Sequence, residues 1–237
     1  MSQQQQVVLG YWPIRGKAQF LRYLLEYTQI PYEDKIYTDP KQWFEQDKKN
    51  LGIEFPNLPY LIDGDFKLTE SAAIGKYIAN KSQQADQLLG NNNLNKFGQI
   101  NMLYSVIHDL QAQINKLCYQ FDEKTFEAQK EQFYKDNIEK FVQNLSSYLA
   151  NKKFLLGEEL TLPDFVFFEM IDQLNYMLPE QIKEFENLKN YIKNFREVES
   201  LKKFFGENEN KVFNSPMYAA WAGPNFDKEA FLKAHKQ

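Results

Sequence analysis

The period of the hydrophobic positions changes along the chain. Gln6 to Tyr11 is a short apolar run that reads as a buried strand. Arg15 to Gln29 places Ala18, Leu21, Leu24 and Leu25 on one face at helical spacing, which predicts an amphipathic helix. Tyr32 to Tyr37 alternates like a second strand, and Lys41 to Asn50 reads as a short polar helix led by Trp43 and Phe44. Tyr60 to Ile62 and Phe66 to Leu68 flank Asp63-Gly64-Asp65, and Asp-Gly between two apolar runs predicts a hairpin. Ser71 to Lys81 returns to helical spacing.

A polar stretch from Ser82 to Asn93 then reads as a linker. Beyond it every periodic segment is helical: Leu94 to Phe121, Lys124 to Ala150, Leu162 to Met177, Lys183 to Phe195 and Glu197 to Phe205. Strands mixed with helices, followed by helices alone, predict two domains, divided as 1–83, a linker at 84–93, and 94–237. Leu160-Thr161-Leu162-Pro163-Asp164-Phe165 predicts a capping box in which Asp164 reaches back to Thr161, so that carboxylate starts a helix and is no catalytic acid.

Composition narrows the function. With 237 residues, 43% of them hydrophobic, and 20 Phe and 14 Tyr, the chain can bury a sizeable core. The net charge of -4 and the absence of a basic stripe exclude a general nucleic-acid binder, whose phosphate contacts need surplus Lys and Arg. The single Cys118 makes no internal disulfide and fits a reducing compartment. The polar start and the lack of a long apolar run predict a cytoplasmic protein without a membrane span. His108 and His235 show no metal-ligand spacing.

Four segments occur in an informative order: LGYWPIRG from Leu9 to Gly16, FPNLPYLIDG from Phe55 to Gly64, LTESAAI from Leu68 to Ile74, and LTLPDF from Leu160 to Phe165. The second sets a Pro at the start of a strand, where few sheet positions tolerate one. Together they resemble the glutathione transferases over nearly the whole chain. The GYW-I-RG opening, the FPNLPYLIDG run and the late Trp221 are similar to the mu class. The resemblance implies an α+β/α architecture: an N-terminal thioredoxin-like βαβαββα domain that binds glutathione, followed by an all-α domain bearing the acceptor site. It implies a homodimeric transferase that uses glutathione as co-substrate and no metal, and acts on small hydrophobic electrophiles. A ligandin or crystallin-like binding protein of the same fold is the alternative.

The chemistry asks for a hydrogen-bond donor where the first strand meets the first helix. A thiol of pKa near 8.5 is only roughly 3% thiolate at neutral pH, and the thiolate is the nucleophile. Lowering that pKa by about two units takes about 2.7 kcal/mol, and one hydrogen bond to a charged acceptor supplies roughly 1.5 to 3 kcal/mol. Tyr11 stands where the resemblance assigns the thiol-activating Tyr. A glutaredoxin-like enzyme would need a Cys there, and the only Cys is Cys118.

The resemblance also implies a glutathione site. Pro59 follows a cis bond, and Leu58 pairs its backbone with the cysteinyl portion like an added strand. Asn57 contacts the tripeptide, and Glu70 and Ser71 meet the γ-glutamyl group at a helix start, where capping by Thr69 or Ser71 is the plain reading. Mu-like sequences have Gln where this chain has Glu70. Trp12 and Trp43 are expected to be half core and half wall. Lys48 or Lys49 would neutralise the glycyl carboxylate, and one extra residue between Trp43 and Gly52 leaves the choice open. An Arg of the mu pattern is missing, with Lys41 the nearest cation. Asp109 reaches the partner subunit's glutathione or is an exposed helix carboxylate. Tyr119 donates to the acceptor or packs in the core. Phe55 is the expected intersubunit key and Lys17 makes the pocket mouth polar; the tail either forms a helix with Phe226, Ala230, Phe231 and Ala234 on one face that borders the pocket, or is a disordered end.

Overall fold

The first half of the fold grows from one mixed sheet. The computed structural model describes residues 6–208, 212–224 and 226. Its strands are β1 (Val7–Tyr11), β2 (Tyr32–Ile36), β3 (Tyr60–Asp63) and β4 (Phe66–Thr69), in the spatial order β2-β1-β3-β4. β1 runs parallel to β2 through α1 (Gln19–Thr28) and antiparallel to β3, and the β3–β4 hairpin turns at Gly64 with φ of 62°. Gly10 is required in β1, because a Cβ there would lie 2.3 Å from the Tyr60 ring of the neighbouring strand.

Between β2 and β3 the polar helix is unlike the expected one. Gln42–Asp47 forms a widened π-type turn, in which Lys48 N–H bonds Trp43 O five residues back, and a short α2 (Lys48–Asn50) follows. Such a turn is how a helix absorbs a single additional residue. α3 (Ser71–Lys81) packs against α1 and the hairpin, and the stretch read as a linker holds α4 (Ala85–Leu89).

The helices that follow are α5 (Leu94–Tyr119), α6 (Glu123–Asn137), α7 (Glu139–Leu149), α8 (Leu162–Met177), α9 (Pro179–Ile182), α10 (Glu186–Arg196) and α11 (Glu199–Asn208). The expected single helix from Lys124 to Ala150 is interrupted at Ile138, whose φ of -117° leaves helical geometry while its side chain stays in the core. The helix predicted from Lys183 starts at Glu186, after the Pro-initiated turn α9. α8 is buried nearly all round and lies at the centre of the core. Its start is the predicted box: Asp164 Oδ2 accepts from Thr161 N at 2.8 Å and from Thr161 Oγ1 at 2.7 Å. Among the described residues no helix is long and apolar enough to cross a membrane.

Candidate functional site

Tyr11 ends β1, and the chain then turns without entering a helix. Arg15 N and Gly16 N donate to Val212 O and Phe213 O, each at 2.8 Å, and Gly16 takes a φ of 43°. The helix expected from Arg15 therefore begins at Gln19, and the positive end-potential of a helix opening at Arg15 moves with it. The irregular turn leaves Lys17 N–H outside the helical ladder, and it donates to the Tyr11 hydroxyl at 3.0 Å. Burial raises the pKa of Tyr11, against the lowering influence of that N–H and of Arg22. The phenol is thus protonated at neutral pH, with one lone pair occupied and its proton available to a neighbour.

Arg15 holds this turn from beneath. Its guanidinium bonds Glu169 through Nε at 3.0 Å and Nη2 at 2.6 Å, reaches Asp172 at 2.8 Å, and lies 3.7 Å from the Phe213 ring centroid. Arg196 completes the set on Asp172 at 3.0 Å. Burial pushes Glu169 up to about 7, although Arg15 pulls it down. Sequence reasoning missed Glu169 and Asp172; their signal was two carboxylates three positions apart in a helix whose other residues from Phe165 to Ile171 are apolar.

The neighbouring strand brings the second group of residues to the same end of the sheet. Gly10 pairs with Tyr60 and Tyr60 with Thr69, so Leu58-Pro59 and Glu70-Ser71 flank the end of β1. The Leu58–Pro59 bond is cis. Leu58 N–H, expected to face a ligand, donates instead to Asn57 Oδ1 at 2.9 Å, and Asn57 Nδ2 meets Glu70 Oε1 at 3.4 Å. Asn57 is close enough in sequence to fold its amide back on the next residue. Glu70 has φ of 69° and ψ of 111°, a region that L-residues rarely occupy and that is concentrated at functional sites. Capping by Thr69 or Ser71 is not found: Thr69 Oγ1 bonds Phe55 O at 2.8 Å, and no side chain caps α3. The first N–H groups of α3 and the Glu70 carboxylate therefore stand together, suited to a carboxylate and to an ammonium respectively.

On the other flank Trp12 is half-buried, with its ring 6.0 Å from Phe44. Trp43 departs from the expectation of a half-wall: it is 2% exposed and stacks on Tyr60 at 5.9 Å, because Gly10 lets the Tyr60 ring lie across β1 beneath it. The widened turn separates the two lysines. Lys48 is half-buried with Nζ 5.8 Å from the Phe44 ring, on the Trp12 side, whereas Lys49 and Lys41 are exposed.

α5 carries the remaining candidates. Tyr119 is 41% exposed, so it is not a core residue, and its hydroxyl accepts from Ser215 N at 2.9 Å. Burial, together with charge on Tyr11 and Cys118, pushes its pKa up to about 12, against the Ser215 bond. Asp109 is exposed on α5, and Phe55 is 75% exposed. Cys118 is buried, and its carbonyl accepts from Ala220 N at 2.7 Å, which fixes the 212–222 segment over the end of α5. The helix expected around Phe231 lies outside the described residues.

Two family descriptions match the chain: "Glutathione S-transferase, N-terminal domain" over residues 7–80 and "Glutathione S-transferase, C-terminal domain" over residues 108–208. The chain is 34% identical to "Glutathione S-transferase 2" of Gallus gallus over 230 residues, covering 94% of this chain and 99% of that one. It is 34% identical to "Glutathione S-transferase Mu 1" of Macaca fascicularis over 225 residues, covering 91% and 98%. Among solved structures, the transferase Blo t 8 superposes with a TM-score of 0.80 at 28% identity, covering 91% of this chain and 99% of that one.

Proposed function

The chain belongs to the glutathione S-transferase family, and from that premise we propose which of its residues carry the transfer. The mu-class relatives and the two matched domains make it a transferase that conjugates glutathione. Tyr11 is the activating group. The observation that carries this reading is the Lys17 N–H bond to the Tyr11 hydroxyl at 3.0 Å, which occupies an acceptor lone pair and leaves the phenolic proton for the thiolate.

Glutathione takes the end of the sheet. Its cysteinyl backbone replaces the Asn57 amide at Leu58, beside cis-Pro59, as an added strand would. Its γ-glutamyl carboxylate meets Ser71 and the N-terminus of α3, and its ammonium meets Glu70, with Asn57 between them. Trp12 forms a wall, Trp43 supports that wall from within the core, and Lys48 rather than Lys49 faces the glycyl carboxylate. Tyr119 serves the acceptor: with its oxygen held by Ser215 N–H it donates to a leaving oxygen or a developing charge. The acceptors are small hydrophobic electrophiles that enter past Lys17, Met217 and Tyr218.

The working unit is a homodimer in which the exposed Phe55 enters the partner and Asp109 approaches the partner's glutathione, in a reducing cytoplasm. The division at 1–83, 84–93 and 94–237 is supported by the confinement of all four strands to residues before Glu70.

Tyr11→Phe tests the reading. Conjugation of an aryl halide falls by about two orders of magnitude or more, the bound thiol's pKa rises, and glutathione affinity changes little. A bound thiol that titrates as in the unaltered protein would remove Tyr11 from this role.

A further inference from the structure

Beneath Tyr11 lies a charge that the transfer as described does not use. Arg22 is fully buried on α1, and its Cζ is 6.0 Å from the centroid of the Tyr11 ring. Nε donates to Asp34 Oδ2 at 3.0 Å, while Nη1 donates to Ile14 O at 2.9 Å and to Gln19 Oε1 at 3.2 Å. Nη2 has no hydrogen-bond partner among the described residues. Burying a guanidinium with an unmet donor is costly, so a purely structural role would favour an apolar residue here.

The pair is also lopsided. The Asp34 carboxylate retains 22% of its side-chain exposure and sits on β2, opposite Leu9, whereas Arg22 retains none. The guanidinium is sealed on the Tyr11 side of the sheet. Of the two charges, Arg22 is the one that favours an anion at Tyr11, and it lowers the pKa of that phenol. The paired Asp34 carboxylate offsets part of that influence without cancelling it. The Ile14 bond does a second task, since it fixes the carbonyl just ahead of the turn that carries Arg15, Gly16 and Lys17.

We propose that Arg22 is a positioning residue for thiolate formation, its buried charge biasing the Tyr11 end of the cleft toward an anion while its fork fixes the Ile14 turn. This rests on the reading that Tyr11 activates glutathione. Arg22 touches neither substrate; it acts through Tyr11 and the low-dielectric layer between them.

Two variants separate charge from scaffold, each read by ultraviolet titration of the thiol of glutathione bound to the full-length protein. Asp34→Asn keeps an acceptor for Nε but removes the opposing charge. It lowers the bound thiol's pKa and increases the thiolate fraction about two- to threefold at a pH below that pKa. A scaffold role requires no change or a rise, and either result overturns the proposal. Arg22→Gln combined with Asp34→Asn removes both charges. It raises the thiol's pKa by about half to one unit and lowers kcat at neutral pH by about three- to tenfold. KM for glutathione is unchanged, and the lost rate returns on raising the pH. A folded double variant with an unaltered thiol pKa overturns the proposal, and if the double variant does not fold, the sign of the Asp34→Asn shift decides alone. Tyr11→Phe is titrated in parallel. If that variant leaves the thiol unaffected, the activation reading itself has failed; if it raises the pKa and the Arg22 set does not, only the present inference has.

Discussion

A methyl group on Gly16 would stand 2.6 Å from the Tyr11 hydroxyl oxygen, closer than Cβ atoms approach a non-bonded neighbour. The same residue has a φ of 43°, which costs an L-side chain about 1 to 2 kcal/mol. Gly16→Ala is expected to lower kcat by about a hundredfold through displacement of the phenol, with a smaller loss of melting temperature. Steady-state conjugation and thermal melting distinguish the two. A variant with full kcat would show that the turn does not fix the hydroxyl.

The widened turn at Gln42–Asp47 gives adjacent lysines different surroundings, Lys48 half-buried beside Phe44 and Lys49 exposed. Lys48→Ala should raise KM for glutathione about fivefold, the loss of an ion pair worth about 1 kcal/mol, with kcat unchanged. Lys49→Ala should leave both constants alone. The reverse pattern would mean that the extra residue is absorbed in the other direction.

The strand ends, the Asp63-Gly64 hairpin and the capping box at Thr161 were legible because each depends on residues close in sequence, whereas the candidates about Tyr11, far apart in the chain, came from the family resemblance. The start of α1 was not. Residues 15–18 have helical spacing, but Arg15 N and Gly16 N bond carbonyls near residue 212, a contact the local pattern does not encode. Arg15 meets Glu169 154 positions away for the same reason. The break at Ile138 is hidden because the apolar positions of α6 and α7 remain nearly in phase across it. Trp43 was read as half-exposed because the pairing of Gly10 with Tyr60, which opens the core to both rings, is a property of the sheet.

Phe55 is the most exposed of the aromatic candidates, and Thr69 holds its backbone. Phe55→Ser is expected to shift the protein from dimer toward monomer in sedimentation, without loss of the fold. Asp109→Asn should weaken glutathione binding only in the dimer. A monomer retaining full activity would remove both roles.

His108 supplies a pH dependence. Burial lowers its pKa below 6.5, and Lys17 and Lys76 add to this, outweighing the Gln111 bond and Asp109. Its Nε2 is buried without a partner among the described residues. The unfolded chain binds that proton more readily, so this share of stability is present above pH 6.5 and is lost as the pH falls through the folded pKa. The melting temperature should drop between about pH 7 and pH 5, and His108→Gln should flatten that slope. An unaltered slope would place the sensitivity elsewhere.

Lys17 divides its two halves between two tasks. Its main chain donates to the phenol of Tyr11, while its side chain is exposed, where the proposed acceptors enter. Nineteen of the twenty genetically encoded residues carry the N–H that the first task needs, proline being the exception. Position 17 can therefore drift from cationic to apolar, reshaping what enters the pocket, while the chemistry one layer below stays constant. Entry and activation are thereby coded by different atoms of one residue, so the first can change without the second.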